Sequence, residues 1–129
     1  MRTVIIYSIS IVFFVFGVLQ YNDPDFIIWF PIYLIIALVP VLYLKQLISS
    51  WHILIVMVGL GLFLLTYIPD FIEWISGGMK SITGSMKAES PHIEMIREFF
   101  GLVLCVSLLL VFYLKSRKKG IQSLKSDSE

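Results

Sequence analysis

Charge is what this chain has least of. Asp, Glu, Lys and Arg make up 15% of its 129 residues, while 58% are hydrophobic and the mean hydropathy is +0.91. Soluble domains carry roughly 25% charge, and a chain this poor in it cannot cover a water-facing surface. Lipid must therefore solvate much of it. Cysteine is nearly absent too. Cys105 stands alone inside an apolar run, which rules out a disulfide framework within one chain and any paired-cysteine metal motif; a buried thiol is the plain reading. With only His52 and His92, no H-E-x-x-H segment and no local Ser-His-Asp arrangement, no firm metal or nucleophile motif exists. The first apolar run has no small-x-small cleavage pattern and continues through bulky residues to Gln20 and Tyr21, so it reads as a retained helix and not a signal peptide. Strict alternation of apolar and polar residues, which a barrel would need, is also missing. The composition gives nucleic acid nothing to bind.

What is present is four apolar runs, 4–19, 26–44, 50–68 and 92–114. Crossing the hydrocarbon as a helix takes about 20 residues, and at that depth the backbone must satisfy its own hydrogen bonds. The fold class expected is an all-α integral membrane protein: an antiparallel four-transmembrane-helix bundle with an amphipathic interfacial segment. The membrane domain would take residues 1–115, and residues 116–129 a basic polar cytoplasmic tail of low order. Pro31 and Pro40 fall in the second run, with a bend expected at Pro40. The short link 45–49 forces an antiparallel hairpin. Trp29 and Trp51 read as interface anchors, and Gly59 with Gly61 permits a close helix contact.

Residues 70–87 form the sizeable piece outside the membrane. Asp70 and Glu73 have capping-box spacing, and Phe71, Ile72, Ile75, Met79, Ile82 and Met86 fit one helical stripe, with Trp74 alongside. Gly77-Gly78 should break the segment in two. Ser90 and Pro91 read as N-cap and first residue of the last span. With the N-terminus inside, the inner face holds Arg2, Lys45, Lys115, Arg117, Lys118, Lys119 and Lys125, and the outer face only Lys80, Lys87 and Arg97. That asymmetry predicts both termini cytoplasmic, in the plasma membrane or a bacterial inner membrane.

Two polar groups then face outward. One is Gln20, Tyr21, Asn22, Asp23, Pro24 and Asp25; the other is His92, Glu94, Arg97 and Glu98, with Glu73 able to join. Asp23 can cap the second helix, with Pro24 as its first residue and Asp25 at its positive end. Glu94 and Glu98 share a helix face, and Arg97 so near the apolar core should be paired, with Asp23 or Asp25 as partner from another helix. Three uses compete: an ion-pair latch on Arg97, a carboxylate-rich cavity for a cation or polar head group, and catalysis.

The segment 20–25 followed by Trp29, together with Glu94-x-x-Arg97-Glu98-Phe99-Phe100-Gly101-Leu102, resembles the transmembrane protein 220 family of small four-helix membrane proteins. The resemblance spans about residues 1 to 115, and the Asn-Asp-Pro-Asp segment is its most specific part. It implies a multi-pass membrane protein whose biochemical function is unassigned, and it carries over no catalytic residue.

The function expected is that of a binding or accessory protein whose outward acidic site engages a lipid head group, a cation or a membrane partner. The alternative is a small membrane enzyme using Asp23, Asp25, Glu94 or Glu98, with or without a divalent cation. No cofactor is called for by any motif. The bilayer is the expected partner, and a second membrane protein or a second copy of this chain remains open.

Overall fold

The computed structural model describes residues 2–84 and 91–128, and the chain is helical along the predicted apolar runs except at Thr66 and Tyr67, where a turn breaks the third run. The helices are α1 (Arg2–Leu19), α2 (Phe26–Leu44), α3 (Ser50–Leu65), α4 (Ile68–Ser76) and α5 (Pro91–Asp127), with a 3₁₀ turn at Gln20–Asn22. No strand occurs among the described residues. This is an all-α membrane protein. Among the described residues three helices are long and apolar enough to cross a bilayer, giving three spans, or up to four when α3 and α4, bent by 44° at their junction, count as one span. The chain divides into two compact units, residues 1–56 with 108–129, and residues 57–107.

In the first unit α1 and α2 form a tight antiparallel hairpin. Ser10, Phe13 and Gly17 make the buried stripe of α1, and Trp29, Tyr33, Ile36, Ala37 and Pro40 lie on the buried stripe of α2. The rings of Phe13, Phe16 and Trp29 stand around Tyr33 at centroid distances of 6.4, 6.1 and 6.1 Å. Gly17 sets how close the helices come, because a Cβ there would lie 3.2 Å from Tyr33 Cβ. The close approach expected at Gly59 and Gly61 is not seen among the described residues, none of which lies within 4 Å of a Cβ at either position. Trp29, expected as an interface anchor, is only 2% exposed. It sits one turn before Tyr33, on the packed stripe, so packing prevails over the interface preference.

Asp23 was the expected cap of α2, but the N-cap is Asp25, which holds it through its carbonyl and not its side chain. That carbonyl accepts the N–H groups of Ile28 and Trp29 at 2.8 and 3.1 Å, while the Asp23 carbonyl accepts Phe26 N–H at 3.2 Å. At its far end α2 closes in a Schellman motif: Leu47 N–H donates to the Leu42 carbonyl at 2.9 Å and Gln46 N–H to the Tyr43 carbonyl at 3.1 Å. Gln46 takes the left-handed position, φ 60°, that glycine usually fills. Nearby, Tyr43 packs edge-on against Phe112 at 5.2 Å, and the Lys119 ammonium lies 5.7 Å from the Tyr43 ring. The tail is not the low-order segment expected, since α5 runs on through Asp127. Its Lys, Arg, Gln and Leu residues are good helix formers and carry the helix past Gly120 once the span has nucleated it.

Candidate functional site

In the second unit α4 is built on a three-sided pattern. Ile68, Ile72 and Ile75 are exposed on one side; Phe71 and Trp74 form the next; Asp70, Glu73 and Gly77 form the third. The aromatic side docks on the head of α5. Phe71 stacks on Phe99 at 4.2 Å with planes 14° apart, and Phe71 and Trp74 meet the edge of Phe100 at 6.1 and 6.4 Å. The expected capping box on Asp70 is not used. α4 begins earlier, with Tyr67 as N-cap and Pro69 in the first turn, which places Asp70 inside the helix where its charge suits the positive end. Gly77-Gly78 ends the helix as expected. Gly78 has φ 91°, and Met79 N–H reaches back to the Trp74 carbonyl at 3.0 Å. Past that reversal the Trp74 indole N–H donates to the Lys80 carbonyl at 2.8 Å. No helix carries Met79 or Ile82, so the expected stripe stops at Ile75; Met86 lies outside the described residues, as does Ser90.

These contacts leave a cavity of about 320 Å³, walled by Asp70, Glu73, Trp74 and Lys80 on one side and by His92, Met95 and Ile96 of α5 on the other. His92, Met95 and Ile96 follow i, i+3, i+4 spacing, so they share one face. His92 is tied by Nε2 to the Ser81 carbonyl at 3.3 Å. The opposite face of α5 carries Glu94 and Glu98. Their carboxylates approach within 4.8 Å of one another, and Tyr67 Oη donates to Glu98 Oε2 at 3.0 Å. Two carboxylates one turn apart could hold a divalent cation, with water completing its shell.

Within the second unit the sequence-derived candidates divide between two faces of α5. Glu73 and His92 meet at the cavity, and Glu94 meets Glu98 on the other side of α5. Gln20, Tyr21, Asn22, Asp23 and Asp25 occupy the α1–α2 turn of the first unit; Tyr21, Asn22 and Asp25 are exposed there, and the Tyr21 ring packs on Phe26 at 5.9 Å. Arg97 is exposed, and inside its own unit it pairs with neither Glu94 nor Glu98 among the described residues. Less than two turns from the head of α5, its long side chain can reach water without a partner. The sequence reading passed over Tyr67, Asp70 as a wall residue, Trp74 and Lys80. Asp70, Glu73 and Gly77 at helical spacing were the available signal.

Residues 12–114 match the family described as Transmembrane family 220, helix. The chain belongs to this family. No curated protein and no solved structure matches it. Transmembrane family 220 has no assigned function, so membership establishes a membrane protein and leaves the chemistry to the residues. The matched region takes in the C-terminal part of α1, all of α2, α3 and α4, and the walls of the cavity. It stops at residue 114, and the basic end of α5 lies beyond it.

Proposed function

We propose that this chain is a multi-pass binding or accessory protein of the plasma membrane, or of the inner membrane in a bacterium. Its outward polar cavity engages a lipid head group or a cation. The observation that carries the reading is the cavity itself, with carboxylates on α4 that form no ion pair among the described residues. Charged groups at the edge of a membrane are retained when they face a wet, ligand-accessible space. The outward direction and cytoplasmic termini rest on the basic asymmetry along the chain. In a Cys105→Ala background, Thr83→Cys should label from outside and Ser123→Cys only from inside; the reverse pattern overturns the orientation. Binding is tested by native mass spectrometry of the purified chain. Wild type should retain a lipid or cation that Asp70→Asn/Glu73→Gln loses, and identical spectra would sink the reading.

A second reading has one observation in its favour. Glu94 and Glu98 bring their carboxylates within 4.8 Å, as a small metal-dependent membrane enzyme would require. Metal analysis of wild type beside Glu98→Gln decides it: a stoichiometric divalent ion lost in the variant favours the enzyme.

A further inference from the structure

The cavity at the head of α5 holds charges of both signs that leave one another alone. Asp70 and Glu73 stand on α4 and Lys80 on the turn beyond it, yet among the described residues Lys80 pairs with neither carboxylate. An anionic and a cationic subsite thus stay open in one space. Trp74 has its indole N–H committed to the Lys80 carbonyl, so what it offers the cavity is aromatic surface, the surface that attracts an ammonium group. Across from it α5 starts at Pro91 and His92 in the cavity wall, which brings the positive end of a long helix into the same space as Lys80. A simple cation would use only the first set of groups, and a simple anion only the second.

We propose that the cavity binds a zwitterionic phospho-amine, with its ammonium on Asp70, Glu73 and Trp74 and its phosphate on Lys80 and the head of α5. Phosphatidylethanolamine and phosphatidylcholine head groups share this chemistry with their water-soluble glycerophospho derivatives. The inference rests on the cavity being a binding site and names what it takes. At about 320 Å³ the cavity stands at the small end of ligand sites, which run from roughly 300 to 1,000 Å³. That suits a head group and leaves acyl chains outside.

The test is calorimetric titration of the full chain in detergent with glycerophosphoethanolamine, glycerol phosphate and ethanolamine. The zwitterion should bind roughly tenfold or more tightly than either half, a tenfold step being the scale of one charge-assisted contact. Glu73→Gln should abolish its advantage over glycerol phosphate, and Lys80→Met its advantage over ethanolamine. Both positions are exposed, and an unchanged circular dichroism spectrum verifies folding. A parallel thermal-shift measurement in phosphatidylglycerol nanodiscs, with and without phosphatidylethanolamine, separates the sources. Stabilisation by the lipid above that by the soluble probe assigns the membrane, and the converse assigns the aqueous phase. Ethanolamine bound as tightly as the zwitterion would overturn this inference and leave a cation-binding cavity standing. Failure of every probe and of the lipid would overturn the binding reading as well.

Discussion

Replacing Gly17 with alanine should destabilise the protein, although alanine is the better helix former. The gain in helix propensity is worth at most about 1 kcal/mol. Against it stands a methyl group 3.2 Å from Tyr33 Cβ, 3.6 Å from Phe30 Cδ2 and 3.7 Å from the Phe30 carbonyl oxygen. The two Phe30 distances are ordinary van der Waals contact, but the Tyr33 Cβ distance is short, and since no rotamer change moves a Cβ, α2 itself must give by a few tenths of an ångström. Overpacking of that kind costs about 1–3 kcal/mol. The net loss expected for Gly17→Ala is therefore about 1 kcal/mol, and about 3 kcal/mol for Gly17→Val, whose γ-methyls enter the same gap. Gly59→Ala and Gly61→Ala serve as controls. Nothing stands within 4 Å of a Cβ at either site, so only the propensity term acts and both should be neutral or mildly stabilising. Reversible unfolding in mixed dodecyl maltoside and dodecyl sulfate micelles, followed by circular dichroism, gives the comparison. A Gly17→Ala protein as stable as Gly59→Ala would refute the close α1–α2 approach and the buried stripe built on it.

Tyr67→Phe removes the 3.0 Å bond to Glu98 and should cost about 1–2 kcal/mol in the same assay, the scale of a hydrogen bond to a charged acceptor. Phe71→Ala empties the stack on Phe99 and should cost about 2 kcal/mol, with protease sensitivity rising at the turn after α4. Lys119→Met should cost no more than about 1 kcal/mol, because the cation over Tyr43 is exposed. Amide exchange should show Lys118 to Ser123 protected as a helix; exchange at coil rates there would contradict the continuous α5.

Hydropathy made the spans legible because in lipid the backbone has few alternatives to a helix. The run at 26–44 coincides with α2 residue for residue, and Pro91 opens α5 where the sequence put it. The end of α4 at Gly77-Gly78 was equally readable, since glycine there carries a backbone conformation other residues avoid. By contrast, the reversal after α2 uses Gln46 in that conformation, and no composition signal marks it. The polar residues were harder. Sequence proximity grouped His92 with Glu94, Arg97 and Glu98, but a helix turns 100° per residue, and two positions apart means nearly opposite faces. His92 consequently joins α4, Glu94 joins Glu98, and Arg97 is exposed. A residue such as Trp74 could not be assigned to membrane interface or cavity wall before its partners on α5 were known.

The role of α3 decides how the termini lie. Three crossings by α1, α2 and α5 would leave them on opposite sides, and a fourth brings them to the same side. α3 has 16 residues, about 24 Å of helix at 1.5 Å per residue, against a hydrocarbon core of about 30 Å. α4 is a poor continuation. Carrying Asp70 and Glu73 into the core would cost at least about 2.5 kcal/mol for each carboxylate, whereas lying at the interface puts Ile68, Ile72 and Ile75 in lipid and both carboxylates in reach of water. A shortfall of about 6 Å is the smaller penalty, since local thinning of the bilayer absorbs mismatch at a fraction of a kcal/mol per Å. The physical balance therefore favours α3 crossing alone, with the 44° bend marking where the chain leaves the core. Leu47→Cys and Thr83→Cys flank α3, and in a Cys105→Ala background they should label from opposite sides of sealed vesicles. If both label from one side, α3 does not cross, and the even number of spans and the shared side of the termini fall together.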